Sequence, residues 1–150
     1  MKLMTLAVSL MLFTSVSVVR AQAIQDSIVG AWESDEKDVR MEFFKDGDIY
    51  KGKLLWGNKV FENDGQTSKK DLKNPDASLR TRNIIGLVSL TGLRWDGKEY
   101  TGGKIYDPLS GKTYSCKAWV EGDKLHLRGF MGLSLMGKTV VWHHYSPDKP

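Results

Sequence analysis

The chain has 150 residues, with 22 Lys and Arg against 18 Asp and Glu, 15 Gly and a single Cys. That length holds one domain and excludes an enzyme with separate cofactor and substrate lobes. One Cys excludes both a disulfide framework and a zinc site built from several thiolates.

The N-terminus reads as an address. Lys2 precedes the apolar run Leu3 to Phe13, and Ala21-Gln22-Ala23 supplies a small-residue site. A basic start, a short apolar core and an A-x-A end describe a secretory signal peptide. Leu3 to Val19 is interrupted by Thr5, Ser9, Thr14, Ser15 and Ser17 and closed by Arg20, so it is marginal as a membrane anchor. Residues 1–23 are therefore expected to be cleaved, after Ala21 or after Ala23, leaving 24–150 as the folding unit with no integral membrane segment. The mature chain is expected in the periplasm or secreted. Losing Lys2 and Arg20 lowers the formal charge from +4 to +2. The remaining charges interleave, which speaks against a nucleic-acid partner.

All 15 Gly lie beyond residue 23, mostly between short runs rich in aromatic and β-branched residues. Ile28 to Glu33 opens the domain. Val39, Met41 and Phe43 alternate with Arg40 and Glu42, a period of two, and Asp46-Gly47-Asp48 turns the chain into Ile49 to Trp56. The connection Gly57 to Asn83 is long and suits a lid or binding loop. Within it Asn74-Pro75-Asp76 is expected to start one helical turn, Asn as cap and Pro in first position. Ile84 to Arg94, Glu99 to Tyr106, Thr113 to Val120, Leu125 to Phe130 and Val140 to Tyr145 follow, separated by Asp-Gly and similar turns. About eight strands joined by consecutive hairpins predict an all-β antiparallel up-and-down barrel with one long loop, with an open sandwich as the structural alternative.

The most exact motif misleads. Gly132 to Thr139 satisfies G-x-x-x-x-G-K-[ST], yet phosphate binding needs a helix after the Lys, and Val140-Val141-Trp142 reads as strand. His143 and His144 are strand neighbours that point to opposite faces, so they do not share one metal ion. Cys116 alternates with Tyr114 and Ala118, the position of a buried structural thiol. Ser134 lacks the G-x-S-x-G context of a hydrolase nucleophile. No catalytic residue, metal or cofactor is assigned.

Two sets of residues carry a resemblance. Gly30-Ala31-Trp32 resembles the G-x-W opening of lipocalin-like (calycin) barrels, a likeness that implies a Trp closing one barrel end under a late-strand basic residue; Arg128 is the candidate. Asp71-Leu72-Lys73-Asn74-Pro75-Asp76 with Leu79 to Arg82, Gly102 to Pro108 with Gly111 to Tyr114, and Leu127 to Phe130 with Gly137 to Thr139 and Trp142 recur together. In this order they resemble the domain-of-unknown-function family 2147, small exported bacterial proteins, over nearly all of the mature chain. The likeness implies a calycin-like barrel with space for a ligand. Where the family pattern has an Arg soon after the Trp, this chain carries His143-His144.

The segment Asp71 to Arg82 is expected across one mouth of the barrel. There Arg80 and Arg82 meet an anionic ligand group or pair with Asp107 or Asp76 to pin the loop, and pinning is favoured. The candidate ligand residues are Asn74, Arg80, Arg82, Tyr106, Asp107, Tyr114 and Trp142, with Gly30, Trp32 and Arg128 structural. The expected function is a monomeric exported protein binding a small apolar or amphipathic molecule. The alternative is an envelope structural or interaction module with a filled barrel, and a small hydrolase or isomerase is the weakest reading.

Overall fold

The computed structural model describes residues 18–147. The bulk of the signal-peptide reading, residues 1–17, lies outside them; residues 18–25 are helical. Eight strands follow: β1 Gly30–Ser34, β2 Val39–Asp46, β3 Ile49–Gly57, β4 Val88–Trp95, β5 Tyr100–Asp107, β6 Lys112–Glu121, β7 Lys124–Phe130 and β8 Lys138–His144. They pair in sequence order, every pair antiparallel, and β8 returns to β1 through Trp32↔His144, Glu33↔His143 and Ser34↔Trp142. The barrel is closed, so no sheet edge is left unpaired.

The alternation read from sequence is the alternation of the wall. Met41 and Phe43 of β2, Leu125 and Leu127 of β7, and Cys116 and Ala118 of β6 point inward and are buried. Strands cross closely where a side chain is missing: a Cβ at Gly103 would stand 2.7 Å from both Cys116 Sγ and Leu93 Cδ2. Burial pushes the Cys116 thiol up to about 12. The connection between β3 and β4 is irregular apart from a 3-10 turn, Ala77–Leu79. Its cap is Asp76, whose carboxylate accepts from the Ser78 amide, and not the expected Asn74. The side chain of Asn74 instead accepts from the Asp76 amide at 2.9 Å, an Asx turn one step earlier.

An up-and-down barrel has two ends of different make-up. The β2–β3, β4–β5 and β6–β7 turns are short and share one end with the chain's entry into β1. Residues 25–28 cross that end and seal it. Ile28 is fully buried, Trp32 Nε1–H donates to its carbonyl at 2.8 Å, and the Tyr100 hydroxyl donates to Gln25 O at 2.8 Å while accepting from the Ile28 amide. The Tyr50 hydroxyl donates to Asp26 at 2.6 Å, and Lys45 pairs with the same oxygen at 3.0 Å. The hydrogen bond from Tyr50, with help from Gln22 and Lys45, holds the Asp26 carboxyl below its ordinary value.

Arg128 does not cover Trp32. Leu125 and Leu127 face inward, so Arg128, one residue on, faces out, and its guanidinium reaches Ser134 O at 2.6 Å, Leu135 O at 3.1 Å and Thr139 Oγ1 at 2.8 Å. The ring stacked on Trp32 belongs to His144, its cross-strand partner, with centroids 3.7 Å apart.

Candidate functional site at the open end

The β1–β2, β3–β4, β5–β6 and β7–β8 connections gather at the other end. Part of the β3–β4 connection is folded into the barrel: Val60 and Ile84 join the core, and Asp71 is fully buried. Asp71 is the anchor. Its carboxylate accepts from the Tyr106 hydroxyl at 2.6 Å, from Asn74 Nδ2 at 2.8 Å, and from Arg82 Nε and Nη2, each at 2.9 Å. Burial alone would raise the carboxyl, but the bonds from Tyr106, Asn74 and Arg82 and the Arg82 charge outweigh it, and the group titrates below its ordinary value. Burial and the bond to Asp71 push the Tyr106 hydroxyl up to about 12.

Arg82 therefore pairs with Asp71, where Asp107 or Asp76 was expected. Arg80 donates to the carbonyl of Asn74 at 2.7 Å. A second anchor is backbone against backbone. Gly111, with φ of 74°, packs so close to Lys73 that a Cβ would stand 2.2 Å from the Lys73 carbonyl oxygen. The loop is thereby tied to the start of β6 as well as to the end of β5.

Beside this anchored loop lies a cavity of about 310 Å³. Its apolar wall includes Val39, Met41, Leu54, Val60, Ile105 and Trp142; Asp38, Asn58, Lys59, Ser89 and Asp107 are among its polar lining. Of the residues singled out from sequence, Tyr106, Asp107, Tyr114 and Trp142 line the cavity. Asn74, Arg80 and Arg82 stand instead in the loop's own bonding. Met41 and Leu54 escaped the sequence reading as site residues, although they are direct partners across β2 and β3 and both point inward. Their alternation was visible; the empty space between them was not.

Two polar features stand out. The Trp142 indole Nε1 is buried and has no hydrogen-bond partner among the described residues. Ser34, its partner across the sheet, donates its hydroxyl to Asp38 at 2.6 Å. Elsewhere at this end, Met131, Leu133, Leu135 and Met136 of the β7–β8 connection are all more than 60% exposed. That connection runs through a 3-10 turn straight into strand β8 from Lys138, so the phosphate-loop pattern has no helix after its Lys. His143 bonds to Asp35 at 2.9 Å on the surface, and His126 stacks on Trp119. Among the described residues no His, Cys, Asp and Glu side chains group as a metal site, and no helix is long and apolar enough to cross a membrane.

Comparison with known proteins agrees with this architecture. A solved structure titled "Protein HP1028 from the human pathogen Helicobacter pylori belongs to the lipocalin family" is similar, with a TM-score of 0.70 and 29% sequence identity. The likeness covers 81% of this chain and 84% of that one. A search of curated proteins finds no match. Residues 30–144, from the first residue of β1 to the last of β8, match the family described as "Uncharacterized protein conserved in bacteria (DUF2147)", and the chain belongs to that family.

Proposed function

We propose that this protein is an exported, monomeric carrier that holds a small apolar or amphipathic molecule in the open end of its barrel. One observation carries the reading: the two ends are built unequally, one closed by fully buried Ile28, Trp32, Tyr50 and Tyr100, the other leaving about 310 Å³ against a mostly apolar wall. A volume of that size lies at the small end of ordinary ligand pockets and equals about ten water volumes. An eight-stranded barrel is wide enough either to be filled by its own side chains or to keep one small ligand. The kinship with a structure described as a lipocalin favours the second outcome.

Export rests on residues 1–23 and on the place of the seal. The residues that cross the barrel end begin at Gln25, so cleavage after Ala21 or Ala23 spares them, the second cut removing only the Gln22 bonds to Asp26. N-terminal sequencing of the protein from a periplasmic extract is expected to start at Gln22 or Ile24. A start at Met1 overturns export.

Native mass spectrometry of the protein purified from its own envelope tests the carrier reading. The expected result is an adduct of one small molecule that disappears on unfolding. A mass of the bare chain, together with failure of small apolar probes to raise its melting temperature, overturns it. A second reading, an interaction module, is favoured by the exposed apolar side chains between Met131 and Met136. It predicts an envelope protein recovered by crosslinking through that loop.

A further inference from the structure

We propose that the cavity selects a neutral amphipath, an apolar body carrying one uncharged hydrogen-bond acceptor, which takes its hydrogen bond from the Nε1–H of Trp142. This rests on the reading of the cavity as a ligand site and names the chemistry of its occupant.

The two buried tryptophans make the case. Trp32 at the sealed end is fully buried, and its indole N–H donates to Ile28 O at 2.8 Å. Trp142 is 3% exposed, lines the cavity, and its indole N–H has no acceptor among the described residues. Buried donors are paired in nearly all proteins, because stripping one of water without a partner is costly. An unpaired donor in the wall of a cavity therefore calls for an acceptor brought by whatever fills the space. The Nε1 atom itself is covered by neighbouring atoms, so an acceptor reaches it only as the wall shifts, and Met41, unbranched and with three rotatable bonds, is an adaptable part of the same wall.

The sign of the acceptor follows from the neighbouring charges. Across the sheet from Trp142 stands Ser34, whose hydroxyl is committed to Asp38, and Asp38 itself lines the cavity. Asp107 adds a second carboxylate to the lining, and the cation there, Lys59, is solvent-exposed. A carboxylate ligand with its head at Trp142 would approach Asp38 with no buried cation to offset either charge. A ketone, ester or amide carbonyl accepts the indole hydrogen bond without that repulsion. The remaining walls, Val39, Leu54 and Ile105, suit a short alkyl chain or ring.

The test uses the mature protein with 2-octanone, octanoate and octane, probes that share a tail and differ in the head. Binding is read by melting temperature and by the indole N–H resonances in a ¹⁵N-labelled sample. The expected result is 2-octanone tighter than both others by about fivefold, the difference one net hydrogen bond makes. One indole resonance, absent from Trp142→Phe, moves on addition of 2-octanone and stays in place with octane. In Trp142→Phe the advantage of 2-octanone over octane disappears, whatever the change in wall volume does to the binding of octane itself. Octanoate as the tightest probe, or 2-octanone binding that leaves that resonance unmoved, overturns the proposal and leaves the carrier reading standing. Failure of all three probes to bind overturns both. Should Trp142→Phe not fold, each indole resonance is assigned through the backbone of the unaltered protein, and the titration decides alone.

Discussion

The two ends of the barrel are built on the same eight strands with the same inward–outward alternation, and they differ in what the inward positions carry. At the sealed end they are large and aromatic: Trp32, Tyr50 and Tyr100 are fully buried, and Ile28 adds a stopper from outside the sheet. The rings of Tyr50 and Tyr100 meet edge to face with centroids 5.1 Å apart, and the polar tips of all three aromatics are hydrogen-bonded. At the open end Val39, Met41, Leu54 and Ser89, smaller or more flexible, stand beside Tyr106, Tyr114 and Trp142 and leave space, and an indole N–H has no partner among the described residues. Buried rings and paired polar tips at one end hold the fold. That frees the other end to hold a loop by polar anchors and to keep space. Stability and binding are thus assigned to opposite ends of one short sheet, and substitutions separate them.

The largest effect is expected at the seal. Trp32→Ala removes a fully buried ring together with its hydrogen bond to Ile28, and a loss of about 3–5 kcal/mol in chemical denaturation is expected. A loss under about 1 kcal/mol would show that the sealed end does not carry the fold. A matched pair makes the contrast sharper. Ala118→Leu forces added volume into a fully buried position of β6 and is expected to cost about 1–3 kcal/mol. Ser89→Leu adds its branched side chain to the wall of the cavity, so the expected stability change is within about 1 kcal/mol, while binding of small apolar probes is lost. Equal destabilisation by the two would mean that the cavity is not available space.

How much of this contrast could be read from the sequence depends on range. Strand identity is local: the period of two through Val39, Met41 and Phe43, and Asp-Gly turns such as Asp96-Gly97, place each hairpin within a few residues. The seal is not local. Tyr100 meets Gln25 across 75 positions, and nothing about Gln25 to Ile28 marks it as a stopper until the barrel is closed. The residues of the anchor are all visible in the sequence, but their pairing is not. Asp107 and Asp76 are equally plausible partners for Arg82 in sequence, and only burial singles out Asp71, which also binds Tyr106. Arg128 is a different kind of miss, because alternation with Leu125 and Leu127 already put it on the outer face and away from Trp32. The cavity is the least legible feature, since it is set by the summed volumes of side chains from six strands and three loops.

Each end also carries a carboxylate held below its ordinary value, Asp26 in the seal and Asp71 in the loop anchor. A carboxyl with a lower folded than unfolded value binds fewer protons when folded. It adds stability that is present in full above the unfolded value near 3.8 and is lost as pH falls through the folded one. Acid unfolding curves below about pH 4 are expected to flatten in Asp26→Asn and in Asp71→Asn. The two variants differ in where the damage falls. Asp71→Asn keeps the shape of the anchor but weakens the bonds from Arg82 and Tyr106, at about 1–2 kcal/mol, and limited proteolysis should then cut within residues 58–87. Cleavage confined to residues 24–29 in that variant would contradict the assignment of anchors to ends.

The smallest effect is expected at Arg128, and it tests whether the open end is ordered piece by piece. Its guanidinium bonds two loop carbonyls and the Thr139 hydroxyl, all neutral acceptors, and so ties the β7–β8 connection with its exposed Met131, Leu133, Leu135 and Met136 to the outer face of β7. Those side chains are mostly in solvent, so little apolar burial holds the connection and polar bonds must do it. Arg128→Ala is expected to cost no more than about 1 kcal/mol globally. It should raise amide exchange at Met136 and Gly137, whose amides donate to Leu133 and Ser134 carbonyls, and leave protection at Ile28 and Trp32 unchanged. Binding of small apolar probes should also persist, because neither Arg128 nor the connection lines the cavity. Loss of protection at Trp32 in this variant would mean that the two ends are coupled through β7 and β8, and the separation of stability from binding along the barrel axis would fail.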